Sequence, residues 1–113
     1  MEFDKSRPIY LQIKREVKER IVRGEIKEEV PTVRSLAMEL GVNPNTVAKA
    51  YREMEREDII GSWVGRGTWV KDGARERLCP DMIKEIVDEF IHRLVSLGLS
   101  LDEIKELVEG VND

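Results

Sequence analysis

Residues 31–70 read PTVRSLAMELGVNPNTVAKAYREMEREDIIGSWVGRGTWV. In this stretch, two apolar patterns at helical spacing meet at a Gly-Val-Asn-Pro corner, residues 41–44. A Gly-Arg-Gly turn at 65–67 then joins two short apolar runs, a pattern typical of a β-hairpin. Two helices followed by such a hairpin, the wing, make a winged helix-turn-helix, in which the second helix can lie in the DNA major groove.

The ends of these two helices are marked by residues with strong local preferences. Thr32 is a good N-cap for the first of them, and Gly41 suits the left-handed conformation that ends it. Asn43 followed by Pro44 predicts the N-cap and the first residue of the second helix. We expect this second helix to run to about Glu57 and to bury one face, which consists of Val47, Ala50, Tyr51 and Met54.

A further helix is predicted upstream of this stretch. Pro8 fits its first turn and Gly24 its C-terminal stop. The connector that follows is short and acidic, and the sequence leaves open whether Ile26 and Val30 form a small strand in it.

The strands of the wing are predicted at Ile59-Ile60 and at Thr68–Val70. Trp69 is expected in the core, whereas Trp63 is either a core residue or an exposed stacking surface.

Downstream of the wing, residues 71–78 predict a polar exit segment. A broad apolar stripe then predicts a long helix, and Ser100 with Glu103 forms a capping box for a last one. We expect this capped helix to be the natural end of the chain. The predicted fold is mostly α with a small β-hairpin (α+β): a winged helix-turn-helix over 1–74, followed by two C-terminal helices in 75–113.

Charge is distributed unevenly along the chain. The 113 residues carry a net charge of −4. Residues 1–75 hold 15 Lys/Arg and 13 Asp/Glu, whereas residues 76–113 hold 4 and 10. The winged-helix part is thus slightly basic and the C-terminal part acidic. A field this weak favours DNA binding through well-placed contacts from two copies rather than through bulk attraction.

Several features bound the compartment and the chemistry. With one cysteine, no export signal and no membrane-spanning run, a reducing cytoplasm is the expected location. Cys79 and His92 are single residues of their kinds and cannot build a structural zinc site. The sequence has no phosphate-cradling glycine loop, and its carboxylates are scattered at helical surface spacing. We therefore expect neither an enzyme nor a cofactor.

Three groups of residues are candidates for DNA contact. On the second helix of the motif, Asn45, Thr46 and Lys49 suit adenine edges, thymine methyls or phosphates, and guanine acceptors, respectively. Thr32, Arg34 and Ser35 open the first helix, where free N–H groups favour a phosphate. Arg66 at the tip of the wing suits the minor groove or a flanking phosphate.

The alternative interpretation of the basic residues is a solvated, ion-paired surface. Lys49, Arg52 and Arg56 alternate with Glu53, Glu55 and Glu57, which would allow such pairs. The order of helix, turn, helix and wing is what favours DNA.

Taken together, these elements resemble the GntR family of transcription regulators, and most closely its short YtrA-type members. The resemblance rests on residues 8–10, 12–13, 24, 31–34, 36–37, 41–47, 50–51, 55 and 65–68. It implies a winged-helix domain that binds a double-stranded palindromic DNA operator as a homodimer and acts as a repressor. It also implies that Arg34, Asn45, Thr46, Gly65 and Arg66 occupy positions that contact DNA in the family.

The C-terminal helices are expected to form the dimer interface, because so wide an apolar stripe needs a cover. The residues assigned to it are Ile83, Ile86, Val87, Phe90, Ile91, Leu94, Leu97, Ile104, Leu107 and Val108. Two short helices cannot enclose a ligand pocket within one chain, so a small-molecule effector is possible but not indicated. The competing hypothesis is a winged-helix module that binds proteins and not DNA.

Overall fold

The computed structural model describes residues 1–111. Within them the elements follow the order α1 (Ile9–Val22), α2 (Val33–Leu40), α3 (Pro44–Arg56), β1 (Ile60–Trp63), β2 (Gly67–Val70), α4 (Ala74–Ser96) and α5 (Leu101–Gly110). Helices predominate and β1 pairs with β2 in an antiparallel hairpin. The predicted winged helix-turn-helix followed by two C-terminal helices is confirmed.

The turn between α2 and α3 is built by the capping residues that the sequence marks. The Thr32 hydroxyl accepts a hydrogen bond from the Ser35 N–H (3.0 Å), and the Asn43 side chain accepts one from the Asn45 N–H (2.8 Å). Gly41 ends α2 with a φ of +69°, in the left-handed region where a side chain would be strained. These predictions are confirmed. Pro8, in contrast, lies just before α1 rather than inside its first turn.

The core of the first part of the chain is centred on α3. This helix packs against α1, α2 and β1. The predicted inner face of α3 is confirmed, since Val47, Ala50, Tyr51 and Met54 are all buried. The Tyr51 hydroxyl donates to the Pro31 carbonyl oxygen at 2.7 Å, so its one polar atom is satisfied. Burial raises the pKa of Tyr51 above its ordinary value, and the phenol stays neutral.

The wing has a third short segment alongside it. The Val30 N–H donates to the Thr68 carbonyl (2.9 Å), and the Val70 N–H donates to the Glu28 carbonyl (2.7 Å). Residues 28–30 therefore pair with β2 on the side opposite β1. The connector thus contributes a short paired segment that includes Val30 but not Ile26. Ile26 and Val30 are buried beneath it.

Two predictions about the wing need correction. β1 begins at Ile60 rather than at Ile59, because Asp58, with a φ of 59°, turns the chain sharply out of α3. Trp69 is half-buried rather than fully in the core.

The predicted polar exit segment at 71–78 is wrong in its second half. Helix α4 begins at Ala74 and carries Pro80 inside it. Ala74 and Leu78 are buried and anchor its first turns, whereas Pro80 cannot donate the backbone hydrogen bond of a regular helix. Two arginines at this point also bind backbone carbonyls: Arg75 Nε donates to the Val22 carbonyl (3.2 Å) and Arg77 to the Asp58 carbonyl (2.6 Å).

The structure divides into two compact units, Met1–Leu78 and Cys79–Asp113. The first turn of α4 belongs to the first unit, so this boundary lies four residues beyond the one expected after residue 74. In the second unit, Gly98 at a φ of 96° ends α4, and the predicted capping box of Ser100 and Glu103 opens α5. Among residues 1–111, we find no helix with the length and apolar content needed to span a bilayer.

Candidate nucleic-acid interface

The basic side chains of α1 are neutralised within the first unit. Lys14 and Lys18 both bind the Glu57 carboxylate at the end of α3. Arg20 forms two hydrogen bonds to Glu39 of α2. Burial would raise the pKa of Glu57, but the hydrogen bonds from Lys14 and Lys18 outweigh it and hold that pKa below its ordinary value. The cations of α1 are therefore neutralised within the unit, and Lys14, Lys18 and Arg20 link α1 to α3 and α2.

The acidic side chains of α3 also point toward the protein's own body. Glu53 lies 3.9 Å from the Lys14 ammonium, Glu57 pairs as described, and Glu55 accepts a hydrogen bond from the Ser62 hydroxyl of β1 at 2.6 Å. Because these carboxylates are bound elsewhere, they do not pair with Arg52 or Arg56. Within residues 1–111 neither arginine makes an ion pair, so the alternative of an ion-paired surface does not hold.

The basic side chains of the two motif helices and of the wing differ from those of α1. They come from α2, from α3 and from the wing, all are exposed, and none forms an ion pair with a described residue. We call this set the free basic face; it consists of Arg34, Lys49, Arg52, Arg56 and Arg66. Its cations are available to an anionic partner without breaking a salt bridge of the fold.

The outer side of α3 carries the residues predicted to read bases. Asn45 and Lys49 are exposed, whereas Thr46 and the small Ala48 between them are half-buried. The Lys49 ammonium lies 3.9 Å from the centre of the Tyr10 ring of α1. This cation–π contact restrains the long side chain without neutralising its charge. The sequence pattern gave no sign of it, because Tyr10 and Lys49 are distant along the chain.

The N-termini of α2 and α3 differ in what they offer a ligand. In α3, Pro44 has no N–H, and the N–H groups of Asn45 and Thr46 donate to Asn43. In α2, the Ser35 N–H donates to the Thr32 cap, so the unpaired N–H groups of the first turn belong to Val33 and Arg34. Helix α3 can therefore contact DNA only through side chains, whereas α2 can also bind a phosphate with its backbone.

The tip of the wing is the turn that joins β1 and β2. Gly65 and Gly67 both have a φ of +80°, and Arg66 stands exposed between them. Val64 beside them is fully exposed, and Trp63 is 50 % exposed. The two glycines thus permit a tight turn that presents one cation, which agrees with the place predicted for Arg66.

The predicted interface residues of the C-terminal unit are mostly uncovered in the single chain. Two are half-buried, Ile91 and Leu94. Ile104 differs from the rest, because at 5 % exposure it is already buried within one chain. Between 45 and 75 % of the side chain is exposed at Ile83, Ile86, Val87, Phe90, Leu97, Leu107 and Val108. Apolar side chains this exposed at helical spacing are available for association.

Comparison with known proteins identifies the family to which this architecture belongs. Residues 9–70 match the family model described as "Bacterial regulatory proteins, gntR family". The chain belongs to the GntR family. It is 38 % identical to the HTH-type transcriptional repressor YtrA of Bacillus subtilis, over 95 % of this chain and 86 % of that protein.

Two solved structures of this family extend the comparison. A GntR family transcriptional regulator from Listeria monocytogenes is 34 % identical, with a TM-score of 0.86 over 96 % of this chain and 98 % of its own. The AraR DNA-binding domain, solved in complex with the operator ORE1, is 32 % identical, with a TM-score of 0.53 over 57 % of this chain and 80 % of its own. This GntR chain is a DNA-binding transcription regulator and not an enzyme. The competing hypothesis of a protein-binding module is not supported.

Proposed function

We propose that this regulator represses transcription by binding a palindromic DNA operator as a homodimer. Helix α3 lies in the major groove and presents Asn45, Thr46 and Lys49 to base edges. The start of α2 holds a phosphate through Thr32, Arg34 and Ser35. The wing, with Gly65 and Arg66, contacts the minor groove or a flanking phosphate. A protein with this role acts in the cytoplasm, beside the chromosome.

The observation that carries the proposal is the free basic face. Five cations remain unpaired on α2, α3 and the wing, although the neighbouring helix α1 pairs its own cations with the acidic residues of the same unit. A surface selected only for solubility would distribute both signs over all faces. Unpaired cations on the three elements that meet DNA in a winged helix-turn-helix suit a polyanionic partner.

The homodimer is proposed from the exposed apolar surface of α4 and α5. Water contact with Ile83, Ile86 and Phe90 at about half of their surface is unfavourable, and a second copy offers a matching apolar surface. Two-fold symmetry would present two α3 helices to half-sites about 34 Å apart, one helical turn of DNA. A weakly charged domain gains affinity from such pairing, because the second half-site is bound intramolecularly.

Selection from a random duplex library, followed by titration with the selected duplex, tests base reading. Asn45→Ala should weaken binding to the selected duplex by about 10-fold or more, since a bidentate adenine contact is worth about 1–3 kcal/mol. Binding to an unrelated duplex should stay within about twofold and serves as the internal control. Equal binding of both duplexes by the unsubstituted protein would sink the claim of sequence-specific recognition.

A further inference from the structure

The backbone at the tip of the wing is held at two points. The Arg66 N–H donates to the Trp63 carbonyl at 3.0 Å and closes the turn. The Arg66 carbonyl accepts a hydrogen bond from the indole Nε1 of Trp69 at 2.5 Å. Both main-chain polar groups of Arg66 are therefore engaged, one by backbone and the other by a side chain from β2.

Trp69 is well placed to hold the tip because its own backbone is fixed on both sides. Its Cα lies opposite Gly61 of β1, and a bridge joins it to Glu29 of the connector. Trp69 thus lies in a strand that pairs with β1 on one side and with the connector on the other. Its indole links this strand to the turn that directly follows the last pair of the hairpin, Trp63 and Gly67.

The side chain of Arg66, unlike its backbone, is unrestrained by the protein. It is exposed and forms no ion pair within the described part of the chain. A guanidinium on a fixed backbone loses fewer conformations upon binding than one on a flexible turn, so less affinity is lost to ordering. The arrangement is that of a cation prepared for a ligand.

We propose that Trp69 is a positioning residue for DNA binding, whose indole N–H fixes the Arg66 peptide and so aims the guanidinium at the DNA. The inference rests on the proposed function, because it takes Arg66 as a DNA contact. Trp69 itself touches no DNA in this account. A phenylalanine at this position would keep an aromatic ring in the hairpin but would leave the Arg66 carbonyl without its partner.

Trp63 of the same hairpin provides a matched control. Its indole N–H has no hydrogen-bond partner among residues 1–111. Its ring lies back over Gly61, where a Cβ atom would come within 2.8 Å of a ring carbon. Trp63→Phe therefore removes an indole N–H that holds nothing, in the same structural element.

The test is a double-mutant cycle with the duplex selected by the unsubstituted protein. Dissociation constants are measured by fluorescence anisotropy at one salt concentration for the unsubstituted protein, Trp69→Phe, Arg66→Ala and the double variant. Trp69→Phe alone should weaken binding by about 3- to 10-fold, the range expected for one hydrogen bond. In the Arg66→Ala background, Trp69→Phe should weaken binding by less than about twofold. Trp63→Phe in the otherwise unsubstituted protein should also weaken binding by less than about twofold.

The cycle separates effects that act through Arg66 from effects on the rest of the protein, and Trp63→Phe controls for altered aromatic packing in the hairpin. Equal weakening by Trp69→Phe with and without Arg66 overturns the inference. The inference is also overturned if Trp69→Phe binds normally while Arg66→Ala weakens binding, and in that case the proposed function stands. If no duplex is selected, or if Arg66→Ala, Asn45→Ala and Arg34→Ala all bind normally, both the inference and the proposed function fail.

Discussion

The two units of this molecule differ in how far they bury their apolar side chains. In the first unit, residues such as Ile13, Leu36 and Met54 are completely buried. In the second, Ile104 is the one described apolar residue to reach comparable burial, and the stripe of α4 stays at the surface. The same residue types at the same helical spacing thus build a core in one unit and an exposed surface in the other.

The physical reason lies in the number of elements that surround each helix. Helix α3 is covered on three sides by α1, α2 and β1. A pair of helices such as α4 and α5 has no third layer within its own unit, so one apolar face has nothing to cover it. The first unit therefore completes its own core, whereas the second leaves an apolar face at its surface.

The largest effect is expected from the core of the first unit. Met54→Ala should lower the free energy of unfolding by about 2–5 kcal/mol, because it leaves a cavity where Met54 is fully buried. Met38→Ala is the matched control: Met38 is 78 % exposed on α2, and its loss should change stability by less than about 0.5 kcal/mol. Urea unfolding of both variants measures the difference. Equal losses would contradict the contrast between core and surface.

The next effect concerns the exposed stripe of the second unit. Phe90→Asp should convert dimers into monomers in sedimentation and weaken binding to the selected duplex by about 100-fold or more, as both half-sites must then be bound separately. His92→Asp places the same charge on the same helix but outside the stripe, and should leave the dimer intact. A monomeric Phe90→Asp variant that binds the duplex normally would remove the role of dimerisation in DNA binding.

The smallest effect concerns the charges of the first unit. Arg34→Ala should weaken binding to all duplexes similarly, and the plot of log affinity against log salt should become shallower by about one unit, as for one lost phosphate contact. Arg15→Ala removes an arginine that lies 3.6 Å from Glu19 on α1 and should leave this slope unchanged. If both variants changed the slope equally, the distinction between free and paired cations would have no functional meaning.

The local signals in the sequence were sufficient for the helix-turn-helix itself. Thr32 and Gly41 determine where α2 begins and ends, and Asn43-Pro44 where α3 begins, because capping depends on atoms within four residues of each other. The inner face of α3 followed from its apolar periodicity. Both kinds of information are local, so a single chain read in order contains them.

The start of α4 was beyond the reach of such signals. The charged residues of 71–78 favoured a polar exit segment, but Arg75 and Arg77 bind the carbonyls of Val22 and Asp58. These partners are 53 and 19 residues away. Local preference was overridden by contacts that only the folded chain brings together.

What the sequence alone determined, then, is the order of the elements, the caps and the side chains that α3 turns outward. The folded chain itself sets which cations remain free, because Lys14 meets Glu57 across 43 residues and Arg20 meets Glu39 across 19. It also decided that Trp69 reaches the Arg66 carbonyl at the tip of the wing. Periodicity specifies which face a residue occupies on its own helix, but the charge that remains on a surface depends on the neighbours that packing supplies.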